Sequence, residues 1–206
     1  IRRVAVMDFE GPGSSGKIIS GLFTDQLWKT QYFTLIERQE VEKVLNEHAF
    51  NMTGAVDDST IVEFGKLLGV DAIIIGNVNA YETKNTRGKE KVKERVFTGE
   101  YEKDEKGNFI YQKNIFGKKE KKKIYEEVMV DQTFILREAT VAVSYRMIEI
   151  KTASIRASDQ SKRSFRKKYS KDLNSIPPEQ DILSGLSEQA VAQFIPGLTP
   201  HRVRLK

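Results

Sequence analysis

The segment Asp71-Ala72-Ile73-Ile74-Ile75-Gly76-Asn77-Val78 runs three isoleucines in a row through a strand-like stretch, with no polar residue between them. A strand that is apolar on both sides has both sides covered. This is the situation of a parallel or mixed sheet with helices on each face. The residues before it supply the layers. Arg3–Phe9 is a short apolar run that ends in Glu10-Gly11-Pro12-Gly13, a strand followed by a turn. Ser14 or Ser15 can cap a helix, in which Ile18, Ile19, Leu22, Phe23 and Leu27 recur at helical spacing up to Lys29. Tyr32–Ile36 is β-branched and aromatic, a second strand. Val41, Val44 and Leu45 mark another helix, and Asn51–Gly54 breaks it. Asp57, Asp58 or Ser59 opens a third, which carries Ile61, Val62, Phe64, Leu67 and Leu68 and closes at Gly69. The order β-α-β-α-α-β predicts a layered α/β (α+β) fold, a mixed sheet flanked by helices.

The character of the chain changes after Tyr81. Residues 82–126 hold fourteen Lys or Arg against nine Asp or Glu, so this segment alone accounts for the net charge of +5 of all 206 residues. Strand-like pieces persist at Arg95–Thr98, Asn108–Tyr111 and Glu127–Val130, and Asp104–Asn108 reads as a turn. A structureless connection of this length is rare in a compact domain. The expectation is a single domain over residues 1–206, with residues 82–138 inserted as a charged β-hairpin arm. Phe97, Tyr101, Phe109, Tyr111 and Phe116 lie among its lysines and are the candidate partner-binding residues. Beyond it, Val141, Val143, Tyr145, Met147 and Glu149 share one face of a strand, and Lys151-Thr152 turns it back through Ser154–Ser158. A basic run follows from Lys162 to Lys171. Pro177-Pro178 opens a final helix with Ile182, Leu183, Leu186, Ala190, Val191 and Phe194 inside, and Pro196-Gly197 ends it. Phe9, Leu27, Ile36, Leu45, Leu68, Ile74, Val143 and Phe194 are the expected core.

Several function classes fall away on residue types. There is no cysteine, so thiol catalysis and thiolate zinc sites are out, and two histidines far apart argue against a histidine metal centre. Gly11-Pro12-Gly13-Ser14-Ser15-Gly16-Lys17 follows a strand and opens a helix, as a phosphate-binding loop does. However, Ile18 stands where a magnesium-binding hydroxyl belongs, and Pro12 removes a cradling amide. A phosphate-binding enzyme using this loop is therefore the remote alternative. Asp8, Glu10 and Glu37 at the ends of the first two strands could meet as a cation or acid–base site, or serve only loop amides and helix caps. The basic runs at Lys118–Lys123 and Arg163–Lys171 could meet phosphates, but acidic neighbours dilute their field, and no nucleic-acid partner is expected. No enzyme activity, cofactor or metal is expected.

An ordered set of segments resembles the curli secretion-channel (CsgG/HfaB) family of bacterial envelope proteins. Val4–Phe9 is similar to its opening strand, and Phe33–Leu45 to its strand followed by Glu-Arg and a helix. Gly65–Gly76 is similar to its Lys-Leu-Leu-Gly segment leading into a strand that ends in glycine, and Val143–Thr152 to its strand and Lys-Thr turn. The resemblance implies an α/β periplasmic domain with a mixed sheet and no catalytic residues. It also implies a lipoprotein anchored at the outer membrane through a lipidated N-terminus that is absent from this chain. Pore-forming members assemble as rings that secrete amyloid subunits. A membrane-spanning strand needs ~9–11 alternating residues, whereas residues 93–116 include Lys93, Glu94, Arg95, Glu100, Glu102, Lys103 and Asp104. The expected function is that of a non-catalytic envelope scaffold or partner-binding domain. Its partners would be other envelope proteins or copies of itself, with anionic lipid or the outer-membrane surface as a further contact. The alternative within the family is a subunit of an outer-membrane secretion ring.

Overall fold

A computed structural model describes residues 1–48, 58–170 and 175–199. The chain divides into two compact units. The first comprises residues 1–85, 137–167 and 175–206, and the second residues 86–136 and 168–174.

The first unit is built on a mixed sheet. Strand β1 (Arg3–Val6) pairs in parallel with β2 (Thr34–Leu35) on one side and with β3 (Ala72–Tyr101) on the other. The five-stranded order is β2-β1-β3-β6-β7, with β6 at Lys123–Glu149 and β7 at Ser154–Tyr169. Four helices cover it: α1 (Ser15–Lys29), α2 (Arg38–Glu47), α3 (Asp58–Leu68) and α4 (Glu179–Leu198).

The alternation of strand side chains separates two cores. From β1 and β3, Val4, Ala72, Ile74 and Val78 point toward α1 and α4, where they meet Ile19, Phe23, Leu27, Ala190, Val191 and Phe194. Their neighbours Ala5, Met7 and Ile73 point the other way, toward Val41 of α2 and Ile61 and Phe64 of α3. The isoleucine run is thus covered on both faces, as its lack of alternation predicts. The β6 face Val141, Val143, Tyr145 and Met147 closes the first core, and all four are buried. Phe23 is the hub of a ring cluster, with centroids 5.6 Å from Phe9, 5.2 Å from Tyr145 and 6.0 Å from Phe194. A polar clamp seats the start of α4. Glu179 accepts hydrogen bonds from Thr83 Oγ1 and Asn85 Nδ2, both at 2.6 Å, and Arg137 reaches Glu179, Asn85 and the Pro177 carbonyl.

Several elements differ from the sequence expectations. The second strand is paired over only Thr34–Leu35. Ile36, Leu45 and Leu68 pack on the second core but are half-buried, and Ile18 on the expected apolar face of α1 is 40% exposed. Those four helix-flank and strand-end positions sit at the rims of their faces, where one side meets water. Pro196 lies inside the last turn of α4 and does not end it: the helix runs on to Leu198. The expected break at Asn51–Gly54 and the cap at Asp57 lie outside the described residues. Gly69, at φ +64, closes α3 as expected.

Candidate functional site

The glycine-rich loop sits beside a cleft of about 570 Å³ between the end of β1 and one face of α2. Its lining includes Met7, Asp8, Lys17, Arg38, Val41 and Leu45. Gly16 and Gly11 have a packing reason, and Gly13 a conformational one. A Cβ on Gly16 would lie 1.8 Å from the Phe9 carbonyl oxygen, and one on Gly11 would lie 2.7 Å from Val78 and from Ser15 Oγ. Gly13 has φ +58, a conformation that glycine adopts at little cost. The glycines therefore let the start of α1 press onto the end of β1.

Of the three acidic residues at the strand ends, Asp8 is engaged by Arg38, whose Nη2 donates to Oδ2 at 2.5 Å, and Arg38 Nε also donates to Glu42 at 3.1 Å. Ser20 Oγ lies 3.4 Å from Asp8 Oδ1. Glu10 continues the β1 edge through a parallel bridge to Asn77, and exposed Glu37 is the residue preceding α2. Among the described residues no three His, Cys, Asp or Glu side chains come together to hold a metal ion. The arginine neutralises the carboxylate that such a site would have used.

The second unit is where the candidate aromatic residues lie. The charged sequence after Tyr81 does not leave the strand: β3 continues to Tyr101. At its end the backbone forms a three-way junction. Glu102 N–H donates to the Lys122 carbonyl at 2.8 Å, Lys122 N–H to Ile110 at 2.8 Å, and Ile110 N–H to Glu102 at 2.9 Å. Two small hairpins emerge from this junction. In one, Lys103 bridges Phe109. In the other, β4 (Tyr111–Lys113) pairs antiparallel with β5 (Lys119–Lys121).

The rings form a chain across these elements. Phe97 lies 5.3 Å from Tyr101, and Tyr101 lies 6.1 Å from Phe109. Lysines stand over them: Lys121 Nζ is 3.7 Å from the Phe109 centroid, Lys119 is 4.9 Å from Tyr111, Lys103 is 5.3 Å from Phe109 and Lys123 is 5.5 Å from Phe97. A cation over a ring face is held there by the ring's quadrupole. Phe116, by contrast, stands apart from the chain of rings and is 86% exposed. Tyr125, 6.1 Å from Phe97 and 5.3 Å from the Arg95 guanidinium, extends the ring chain. Ile115, 92% exposed, accompanies Phe116. Sequence reasoning missed both. The alternation Lys123-Ile124-Tyr125 could have found the first, and the spacing Asn114…Gly117, a turn signal, the second.

The two hairpins close with the same turn. In the first, Gly107 N–H donates to the Asp104 carbonyl at 2.9 Å and Asp104 N–H to Asn108 at 2.8 Å, while Asp104 Oδ1 accepts from the N–H groups of Lys106 and Asn108. These bonds hold the Asp104 carboxyl below its ordinary range, the Asn108 amide N–H contributing most. In the second, Gly117 N–H donates to Asn114 at 2.8 Å and Asn114 N–H to Lys118 at 2.9 Å, while Asn114 Oδ1 accepts from Phe116 and Lys118 at 3.0 Å each. Gly107 and Gly117 have φ +82 and +75.

No curated protein sequence matches the chain. Among solved structures, lipoprotein GNA1162 from Neisseria meningitidis is similar at 14% identity and TM-score 0.48, over 94% of this chain and 98% of that one. A PelC dodecamer from Paraburkholderia phytofirmans is similar at 9% identity and TM-score 0.44, over 97% and 89%. The C-terminal domain of LpoB from Escherichia coli is similar at 9% identity and TM-score 0.41, over 79% and 82%. The family model described as curli production assembly/transport component CsgG matches residues 8–174. With four-fifths of its length matched and the mixed, helix-flanked sheet in place, this chain belongs to the CsgG family.

Proposed function

We propose that this protein is a non-catalytic component of the bacterial envelope that binds other envelope proteins or copies of itself, in the periplasm at the outer membrane. The contact surface is the charged insertion, residues 82–138 of a single domain, through Phe97, Tyr101, Phe109, Tyr111 and Phe116. Family membership supports the envelope setting. The observation that carries the contact is the chain of rings with lysines standing over it. Aromatic side chains offer large contact area at low entropic cost, and the lysines select an acidic counterpart.

The test is a photo-crosslinking residue placed at Tyr111 and, as a control, at exposed Lys43 of α2, in the full chain expressed with an envelope fraction. Adducts at 111 to the chain itself or to envelope proteins, and none at 43, are expected. Equal or absent adducts at both positions refute the reading. A second reading, a secretion-ring subunit, is favoured by the sheet ending in the sixteen-residue edge strand β7. Such an edge can pair with another chain. Light scattering decides it: the ring requires one large discrete species.

A further inference from the structure

The two hairpins of the second unit provide an internal comparison. Their turns share the same backbone hydrogen bonds, the same side-chain oxygen accepting two amides, and a glycine at positive φ in the same place. One turn carries Glu105-Lys106 at its two central positions and the other Ile115-Phe116. The geometry therefore does not call for apolar residues. Neither does packing, since Ile115 and Phe116 are the two most exposed large apolar side chains among the described residues, at 92% and 86%. Around them the charge is of one sign: from Phe109 to Lys123 there are six lysines and one glutamate. Lys113, Lys118 and Lys119 flank the turn and are exposed.

We propose that the Asn114–Lys118 turn is a membrane-docking tip, in which Ile115 and Phe116 enter the interfacial layer of an anionic phospholipid bilayer while Lys113, Lys118 and Lys119 lie at its headgroup phosphates. Two adjacent side chains on a convex turn present far less area than a stable protein interface requires. A bilayer needs no matching shape and accepts such a tip directly, and its anionic surface attracts lysines placed at headgroup depth. The tip lies on the surface and does not span it, because the strands behind it are charged on both sides. The inference adds a lipid partner to the envelope reading above and uses that reading only for location. Vesicle binding and crosslinking at Tyr111 therefore succeed or fail separately.

The test is co-sedimentation of the 206-residue protein with vesicles of mixed phosphatidylcholine and phosphatidylglycerol, and of phosphatidylcholine alone. The variant Ile115→Glu/Phe116→Lys carries into the second turn the residues that the first turn already accommodates, so its fold should be retained by circular dichroism. Removing the two apolar side chains that enter the bilayer should lower the partition coefficient at least about tenfold. Phosphatidylcholine alone should bind the parent protein at least about tenfold less than mixed vesicles. As an independent readout, Phe116→Trp in a Trp28→Phe background should shift its emission to the blue on mixed vesicles. The proposal is overturned by any of four results: no partition of the parent protein, partition unchanged in the double variant, equal binding to both vesicle types, or no emission shift. Loss of an envelope-protein adduct in the double variant with vesicle binding intact would assign the tip to a protein groove and equally overturn it.

Discussion

Replacing Phe23 with alanine tests the core most directly. Phe23 is fully buried on α1, and its ring contacts Phe9 beyond β1, Tyr145 on β6 and Phe194 on α4. Truncating a buried phenylalanine costs about 3–5 kcal/mol, as lost transfer energy plus an unfilled cavity. Here the cavity is walled by three further rings that cannot collapse together without leaving their helix or strand positions, so the upper part of that range, about 4–5 kcal/mol, is expected. In a chain of this length each kcal/mol moves the melting point about 2–4 °C, giving a fall of about 8–20 °C. The four helices among the described residues all belong to the first unit, so their circular-dichroism signal follows its unfolding. Phe116→Ala, at an exposed site, should move it by no more than about 2 °C. A fall for Phe23→Ala no larger than that of Phe116→Ala would refute the hub.

Four further outcomes follow from the same structure. The Asp71 carboxyl is held below its ordinary range by the backbone N–H groups of Arg2 and Arg3, which donate to Oδ2 at 2.7 and 3.0 Å. A depressed folded-state value stabilises above the unfolded pKa of about 4 and is lost as pH falls through the folded value, so Asp71→Asn should flatten the urea-midpoint curve below about pH 4. Burial, with a smaller contribution from Asp159, pushes Tyr145 up to about 12. Its stabilising share is complete below the unfolded pKa of about 10 and disappears as pH rises toward the folded value, so Tyr145→Phe should remove part of the alkaline loss of stability over that window. Replacing Thr86–Leu136 with an Asn-Gly turn should leave the helical signal and the melting point of the first unit near native while abolishing the Tyr111-directed partner adducts, because among the described residues every buried apolar side chain except Tyr169 belongs to that unit. Titrating ATP and magnesium into the protein should give no heat of binding. Micromolar binding lost on Lys17→Ala would show that the loop glycines serve phosphate as well as packing.

Local patterns carried the layered fold. The unbroken isoleucine run, the helical spacing of Ile19, Phe23 and Leu27, the alternation of Val141, Val143, Tyr145 and Met147, and glycine after Leu68 each encode burial or backbone sign at the scale of one element. Side-chain period and φ preference are local properties, and so they are legible along the chain. The Asp104–Asn108 turn was legible for the same reason, and the Asn114–Gly117 spacing held the same information. Tertiary structure decided three things. It carried β3 through a charged stretch that ends a strand by composition, because the backbone there pairs with β6, and hydrogen-bond pairing is indifferent to side-chain charge. It joined Asp8 to Arg38, thirty residues away, and so turned an acidic cluster into an ion pair. And it set Lys121 over Phe109 and Lys123 over Phe97 while leaving Ile115 and Phe116 in the open. Which of two neighbouring aromatic residues is covered depends on what the folded chain brings across from elsewhere, and no period in the sequence records it.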